Sequence, residues 1–195
     1  MKRDLFHGGE IRLFGKSVRY RVPRPAMRDG IVYVTEDRKL DGFFETMTAG
    51  QNLQVGELSD GSNPFSIISL SRARDLVADW GSRLKLKQIN DKARMIELSG
   101  GNQQKVVIAK SLIQKPKLII FDEPTRGVDV GAIVEIHQLI GELADQGMAV
   151  VVISSYLPEI LAVSDRILVV KRGRVVEEMM ATDATEEKIM FAAVH

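Results

Sequence analysis

The hydrophobic and polar residues of the chain follow two periods, one typical of strands and one typical of helices. Apolar and polar residues alternate on both sides of Phe14-Gly15-Lys16, which predicts a β-hairpin over residues 9–22. Residues 23–30 predict a helical turn that ends at a glycine, and Ile31–Val34 predicts a short strand. The beginning of the chain is therefore expected to be mainly β-structure.

The pattern changes to a helical one over residues 41–96. Asp60-Gly61-Ser62-Asn63-Pro64 predicts a loop, and residues 70–85 predict a helix because their apolar side chains recur at helical spacing. A chain of 195 residues with 45% hydrophobic composition can bury one substantial core. We therefore expect one domain with a smaller helical lobe.

Strands and helices alternate in the remainder of the chain. Runs rich in valine and isoleucine predict strands at 117–121, 148–154 and 166–170, and helices are predicted at 103–114, 131–146 and 157–164. Such strands separated by helices are typical of a parallel sheet covered on both faces. Lys171-Arg172-Gly173-Arg174 predicts the turn of a final hairpin. The predicted fold class is α/β.

The composition excludes several kinds of site. The net charge is +1 without a basic block, which argues against nucleic acid as the main partner. The absence of cysteine excludes disulfides and metal–thiolate sites. The longest apolar run, residues 148–153, is far too short to span a bilayer, so any membrane association is expected to require a partner. The histidines, His7, His137 and His195, are scattered and expected to lie on the surface.

Ser99-Gly100-Gly101 precedes the helix predicted at 103–114. The unpaired N–H groups and the positive dipole end of a helix start attract anions, and two residues without side chains let an anion approach the backbone. This segment therefore predicts a phosphate-binding site. A flexible loop is the alternative interpretation.

Asp122 and Glu123 end the apolar strand predicted at 117–121. Two adjacent carboxylates at such a place can hold a hydrated Mg²⁺ and an attacking water side by side. An ordinary strand end facing solvent is the alternative. The order of the two motifs, the single helix between them and the Thr125-Arg126-Gly127-Val128-Asp129 segment that follows favour the functional interpretation.

These segments resemble the signature and Walker B motifs of an ABC-type ATPase. Asn102 and the segments 34–39, 126–132 and 153–155 narrow the resemblance to the ATP-binding subunit of bacterial monosaccharide importers, of the ribose, galactose, xylose or arabinose type. This chain resembles the second, C-terminal cassette of that subunit from about residue 3 to the end. The resemblance implies a P-loop NTPase-like parallel sheet with an inserted helical lobe at about 41–96.

The resemblance also implies roles for single residues. Asp122 would hold Mg²⁺ through water, and Glu123 would polarise the attacking water. Asp129 would make the D-loop contact across a cassette dimer. The remaining nucleotide-binding positions implied are Ser99, Gly100, Gly101, Gln103, Glu36 and Ser155, of which Ser99 and Gly101 would contact the γ-phosphate of a nucleotide on the opposite cassette.

Two positions depart from the general ABC pattern. Glu36 stands where most cassettes have glutamine, and Ser155 stands where they have the switch histidine. Both changes are usual in second cassettes of the sugar importers. Because serine does not replace imidazole in contacting a γ-phosphate, the sequence does not predict whether this cassette hydrolyses ATP efficiently.

The sequence contains no phosphate loop of the pattern G-x-x-x-x-G-K-S/T. The nearest match, residues 9–17, has its first glycine one residue too early and alternates like a strand, so it is interpreted as part of the hairpin. In the family such a hairpin follows the P-loop helix, and Arg3-Asp4-Leu5-Phe6 resembles the tail of that helix. We therefore expect the chain to begin just past its P-loop, and to be inactive or very weakly active alone.

The implied ligands and partners follow from the same resemblance. A complete cassette would bind ATP and Mg²⁺, pair with a second cassette of the same type or a fused N-terminal one, and drive a membrane permease from the cytoplasmic face of the inner or plasma membrane. A periplasmic sugar-binding protein would take part indirectly. The leading alternative is a non-catalytic module that lends only its signature face to a shared ATP site. A chromosome-maintenance or DNA-repair ATPase is disfavoured by the neutral charge and the lack of a heptad pattern.

Phe43 and Phe44 lie near the entry to the helical lobe, where the family docks its permease. A buried-core role and a docking role are equally compatible with the sequence.

Overall fold

The computed structural model describes residues 8–59, 69–84 and 92–195. The predictions for residues 3–6, 60–64 and 85 lie outside these ranges. The strands are β1 (Ile11–Leu13), β2 (Lys16–Val18), β3 (Ile31–Val34), β4 (Leu118–Asp122), β5 (Ala149–Ile153), β6 (Arg166–Lys171) and β7 (Arg174–Met180). The α-helices are α1 (Pro23–Arg28), α2 (Ala49–Leu58), α3 (Leu70–Arg83), α4 (Gly100–Leu112), α5 (Val130–Asp145), α6 (Leu157–Val163) and α7 (Glu186–Val194). A π-helical turn occupies Arg38–Gly42.

The predicted N-terminal hairpin is present. β1 and β2 pair antiparallel, and Leu13 lies opposite Lys16. The two residues between them, Phe14 and Gly15, both have positive φ angles, 48° and 77°. A two-residue turn of that hand matches the twist of the flanking strands. The Gly15-Lys16-Ser17 segment is therefore part of a hairpin and not of a phosphate loop.

The central sheet has the order β3-β4-β5 with all three strands parallel. On one of its faces Val34 and Phe121, which lie side by side, are fully buried. Helix α4 packs against β3 and α5 against β5, and both helices contribute to the same hydrophobic cluster. The α/β class is confirmed.

The opposite face of the sheet is only partly covered. Tyr33, Val151 and Ile153 are 55%, 43% and 49% exposed. Their neighbours in register, Ile120 and Asp122, are half-buried. The prediction that helices cover both faces is wrong for the described residues, because α4 and α5 both pack on the side of Val34 and Phe121.

The strand predicted at 166–170 does not join the parallel sheet. β6 instead pairs antiparallel with β7, and the turn between them has Arg172 and Gly173 at positive φ. Ile167 and Val169 pack with Ile189 of α7 in a second, smaller cluster. Among the described residues β5 and β6 therefore belong to separate sheets, and no strand pairs with both of them.

The helical stretch shares the main core. Leu53 of α2, Leu76 of α3 and the neighbouring Leu84 are buried in the same cluster as the sheet. α2 approaches its neighbours closely, since a Cβ at Gly56 would lie 2.3 Å from the carbonyl oxygen of Lys110 in α4. The helix predicted at 70–85 is present as α3, whereas the sequence did not predict α2. The division of the chain into lobe and core remains a prediction.

The two adjacent phenylalanines have different environments. Phe43 is 7% exposed and belongs to the main core, whereas Phe44 is 55% exposed. Core packing therefore accounts for Phe43, and only Phe44 is available for docking.

The expectation that all histidines are surface residues is wrong for His137. Its side chain is half-buried, and its Nε2 lies 3.1 Å from Oε1 of Glu159, a fully buried residue of α6. His195 is exposed and stacks on Phe191, whereas His7 lies outside the described residues.

Every helix within residues 8–59, 69–84 and 92–195 is too short or too polar to span a lipid bilayer.

Candidate functional site

The first part of the candidate site is the start of α4. Ser99 is its N-cap, and its hydroxyl oxygen accepts a hydrogen bond of 3.3 Å from the backbone N–H of Asn102. The helix begins three residues before the predicted Gln103, because this cap compensates for two glycines of poor helix propensity. The first N–H groups of the helix have no intrahelical acceptor, which is the property that a phosphate oxygen requires.

Both glycines at this helix start are required by close packing. A Cβ at Gly100 would lie 2.6 Å from the carbonyl oxygen of Gly127, and one at Gly101 would lie 2.5 Å from Cβ of Ala132. Real Cβ atoms do not approach other atoms so closely. The glycines therefore allow the start of α4 to lie directly against the loop that leads into α5.

Asp129 completes this group. It is the N-cap of α5, with Oδ1 accepting a hydrogen bond of 3.0 Å from the N–H of Ala132. Its other oxygen, Oδ2, would lie 3.3 Å from a Cβ at Gly101. Ser99, Gly100, Gly101 and Asp129, all predicted from the sequence, therefore meet where two helices begin.

The second part of the site is the end of β4, where Asp122 is half-buried. Its Oδ2 accepts a hydrogen bond from the hydroxyl of Tyr33 on the neighbouring strand β3. That hydrogen bond, together with burial and the carboxylate charge, raises the pKa of Tyr33 to about 12. Tyr33 stays neutral at physiological pH, so it can donate the bond that orients Asp122.

Glu123 extends beyond β4 in a left-handed backbone conformation with φ 47°. Its N–H donates to the carbonyl of Ile153 at 2.8 Å and continues the pairing with β5. Its Oε1 accepts a hydrogen bond of 2.7 Å from the backbone N–H of Ser155. The structure thus brings Glu123 and Ser155 together, through the main chain of Ser155 and not through its hydroxyl.

The other two predicted residues have different surroundings. Glu36 forms an exposed ion pair with Arg126, which follows Glu123 in the same loop. Gln103 is 6% exposed, and its amide nitrogen donates to the carbonyl of Met95 at 3.0 Å. Its side chain lies inside the protein, so a direct contact with nucleotide requires a movement of α4 or of its surroundings.

The predicted residues therefore form two groups connected by the 123–129 loop. Asp122, Glu123 and Ser155 lie at the carboxyl ends of parallel strands, a common position for ligand sites in open α/β sheets. The other group lies at the starts of α4 and α5. Sequence reasoning did not assign a role to Tyr33 or Arg38, because their contacts join segments about 90 residues apart. Tyr33 lies within the predicted strand Ile31–Val34, and Arg38 lies within the segment 34–39 that supports the family resemblance.

The chemistry of the carboxylates fits a hydrated magnesium ion. No group of three or more acidic or histidine side chains lies together in residues 8–59, 69–84 and 92–195. Mg²⁺ at phosphate sites is usually held by one or two carboxylates, with water and phosphate oxygens as its other ligands. Asp122 supplies such a carboxylate at a sheet edge, and Tyr33 binds only one of its oxygens.

Comparison with known proteins finds ABC transporter sequences similar to this chain. The model of the ABC transporter family matches residues 3–126. A ribose import ATP-binding protein of Agrobacterium fabrum is 49% identical over 95% of this chain, and a xylose import ATP-binding protein of Yersinia pseudotuberculosis is 42% identical over the same share. The chain covers only 37% and 36% of the length of these two relatives.

Solved structures show the same fold. An ATP-binding cassette of an ABC transporter, 24% identical, superposes with a TM-score of 0.77 over 97% of this chain and 78% of its own. A nucleotide-free ATP-binding cassette from an ABC transporter, 25% identical, superposes with a TM-score of 0.76 over 95% of this chain and 73% of its own.

Proposed function

Because this chain belongs to the ABC transporter family, we propose that it is part of the ATP-binding subunit of a bacterial monosaccharide importer. Within that subunit we assign it to the second, C-terminal cassette. The sugar-importer assignment is supported by the names of the ribose and xylose relatives, which are 49% and 42% identical to this chain.

The observation that carries the proposal is the meeting of Ser99, Gly101 and Asp129 at two adjacent helix starts. Ser99 and Asp129 are exposed there and offer the N–H groups and hydroxyl of one helix start and the carboxylate of the other, whereas Gly101 is buried and lets the two helix starts pack closely. The N–H groups suit the γ-phosphate of a nucleotide that is bound by a second cassette. Asp129 is exposed and can contact that cassette directly.

The carboxylates of the other group have separate tasks in this proposal. Asp122, oriented by Tyr33, would hold hydrated Mg²⁺, and Mg²⁺ supplies charge neutralisation at the phosphate oxygens when it is bound. Glu123 would accept a hydrogen bond from the attacking water. Its hydrogen bond from the N–H of Ser155 orients the carboxylate, which is the requirement for positioning a water.

The subunit would act at the cytoplasmic face of the membrane through a permease. Closing of two cassettes on ATP and reopening after hydrolysis would switch the permease between its two open states. Phe44 is an exposed apolar residue near the 38–42 turn, and we assign it to the permease contact. A sugar-binding protein outside the membrane would deliver the substrate.

A non-catalytic role for these 195 residues, which would lend only their signature face to a shared ATP site, is the second candidate. The 195 residues contain no G-x-x-x-x-G-K-S/T motif, and the nearest match forms the β1–β2 hairpin. A P-loop supplies several charge-assisted hydrogen bonds of roughly 1.5 to 3 kcal/mol each, so its loss weakens ATP binding by at least about a thousandfold. We expect this chain alone to bind Mg-ATP no more tightly than the millimolar range, and calorimetry that finds micromolar affinity would contradict this.

The signature role can be tested by complementation. A complete cassette of the same family, with its own signature serine replaced by arginine, is mixed with this chain and ATP turnover is measured. Ser99→Arg in this chain should abolish the restored turnover. Ser69→Arg is the matched control, because Ser69 is also an N-cap serine but caps α3. Equal turnover with both variants would refute the proposal.

The catalytic role needs a second experiment. A strand, P-loop and helix from a relative are joined to the N-terminus of this chain, and ATP hydrolysis is compared for the parent and for Glu123→Gln. A loss of roughly a hundredfold or more on substitution supports Glu123 as the catalytic carboxylate. Tight ATP binding without hydrolysis in the parent supports the non-catalytic module instead.

A further inference from the structure

Arg38 begins the π-helical turn and contacts two distant segments. Its Nη1 donates to the carbonyl of Arg126 at 2.6 Å, and its Nη2 donates to the carbonyl of Gly127 at 2.9 Å. Its Nε lies 3.5 Å from Oε1 of Gln103 in the first turn of α4. One side chain therefore links the segment after β3, the loop after β4 and the helix that Ser99 caps.

The contact with the loop is specific for a guanidinium group. Arg126 and Gly127 are consecutive, and a planar fork with fixed donors can bind two consecutive carbonyl oxygens at once. Gly127 has a φ of 66°, a left-handed conformation that favours glycine, at one of the two peptide groups bound. Lysine, with a single ammonium group, cannot reproduce this geometry.

The same guanidinium lies against the start of α4. A Cβ at Gly100 would lie 3.0 Å from Nη2 of Arg38 and 2.6 Å from the carbonyl oxygen of Gly127. The glycine, the guanidinium and the carbonyl thus form one close-packed contact. The relative position of α4 and the 126–127 loop depends on all three.

Arg38 is half-buried, and burial lowers the pKa of its guanidinium. The lost hydration is replaced by the carbonyl oxygens of Arg126 and Gly127. The π-helical turn is also fixed at its other end, where the ammonium of the largely buried Lys110 donates to the carbonyl of Gly42. The turn is therefore a rigid support for Arg38.

We propose that Arg38 is a positioning residue that holds the 126–127 loop against the first turn of α4, so that Asp129 and the helix start capped by Ser99 face a shared ATP together. The ATP part of this inference rests on the proposed function, whereas the positioning itself does not. The guanidinium of Arg38 bonds to the carbonyls of residues 126 and 127 and to Gln103, so it acts through the loop and not on the reacting atoms.

Hydrogen exchange on the full chain tests the positioning. In Arg38→Gln, the amides of residues 100–103 and 126–129 should exchange roughly tenfold faster, the factor expected from losing a charge-assisted hydrogen bond. Arg38→Lys should show nearly the same increase while keeping the charge. Arg126→Gln is the control: it removes the exposed ion pair with Glu36 but keeps the carbonyl that Arg38 binds, so exchange should stay within about threefold.

A distance measurement separates positioning from general stability. The chain has no cysteine, so Asn102→Cys and Val130→Cys can carry a unique pair of spin labels. Their distance distribution should broaden in Arg38→Gln and Arg38→Lys and stay narrow in Arg126→Gln. Unchanged exchange and an unchanged distribution in both Arg38 variants would overturn the proposal.

These readouts also distinguish the two proposals. If the complementation assay fails while the exchange and distance changes occur, the proposed function is wrong and the positioning role stands. If complementation succeeds with the parent and equally with Arg38→Lys, the positioning role in ATP binding is wrong. Should Arg38→Gln fail to fold, Arg38→Lys carries the same comparison.

Discussion

Glu123 directly follows β4, Ser155 lies just beyond the neighbouring parallel strand β5, and a hydrogen bond of 2.7 Å joins the backbone N–H of Ser155 to Oε1 of Glu123. The hydroxyl of the preceding residue, Ser154, donates a longer hydrogen bond of 3.5 Å to the other carboxylate oxygen, Oε2. The main chain at position 155 thus orients the predicted catalytic carboxylate, whichever side chain stands there.

The first prediction follows from that hydrogen bond. In a cassette extended with a P-loop, Ser155→Ala should leave ATP turnover within about twofold, because it keeps the donor. Ser155→Pro removes the N–H and should lower turnover roughly tenfold or more, the factor that corresponds to a charge-assisted hydrogen bond. Thermal melts of both variants control for folding. Equal turnover in both would show that the contact does not orient Glu123.

Gly101 supports a second prediction. Gly101→Ala places a Cβ 2.5 Å from Cβ of Ala132, so α4 or α5 must shift and the melting temperature should fall. Gly141→Ala is the control within α5, where a Cβ would meet no atom within 4 Å. Alanine is the better helix former, so this control should stabilise the chain by about 0.5 to 1 kcal/mol. Denaturant unfolding of the two variants measures both effects, and a stable Gly101→Ala would contradict the crowding.

Tyr20 gives a prediction about pH. Its hydroxyl donates to Asp29 at 2.5 Å, and this hydrogen bond, with burial and the nearby charge, raises the pKa of Tyr20 from 10.0 to about 12. The unfolded chain loses this proton first, so the contribution to stability is complete below pH 10 and disappears as the pH rises through 12. Asp29→Ala should move one tyrosine titration, followed by tyrosinate absorbance, towards 10, and Tyr20→Phe should remove it. A titration curve for Asp29→Ala that overlays that of the parent would show that the bond is absent in solution.

The partly covered sheet face supports a prediction about association. β5 pairs with β4 alone among the described strands, and Val151 on its exposed face is 43% exposed. Open strand edges beside apolar surface recruit other chains, so we expect the isolated chain to be marginally stable or to aggregate. Val151→Lys should raise the monomer fraction in light scattering without lowering the melting temperature.

Val152→Lys is the matched control for that substitution, because Val152 faces the main core. It should destabilise the fold and increase aggregation. A parent chain that is monomeric with a sharp two-state melt would show that the exposed sheet face causes neither aggregation nor low stability.

The elements could be predicted from the sequence because their periods are local. The strand at Ile31–Val34 and the helix at Leu70–Arg83 agree with the predictions to within two residues. The hairpin of β6 and β7 was predictable from its turn at Lys171-Arg172-Gly173-Arg174. The separation of β6 from the parallel sheet was not, because a run of valine and isoleucine at 166–170 fits a parallel and an antiparallel sheet equally well. The contact of the half-buried His137 with the buried Glu159 likewise depends on how α5 packs on α6, which no local pattern encodes.

The candidate site was predictable where its residues are consecutive. Asp122 and Glu123 are neighbours in sequence, and Ser99-Gly100-Gly101 is a single helix start. The supporting contacts were not predictable, since Tyr33 and Arg38 reach residues 89 and 88 positions away. Such contacts arise from the parallel crossover between β3 and β4, which places distant segments side by side.

The C-terminal hairpin has its own small hydrophobic cluster, with only Ile167, Val169 and Ile189 fully buried. Its packing onto the rest of the chain runs chiefly through α6. A unit with so little buried apolar surface can open while the larger cluster around β4 and α4 stays closed. Residues 166–194 should therefore open as a unit while the rest of the chain stays folded. Their amides should exchange with solvent through this partial opening, whose free energy is lower than that of global unfolding.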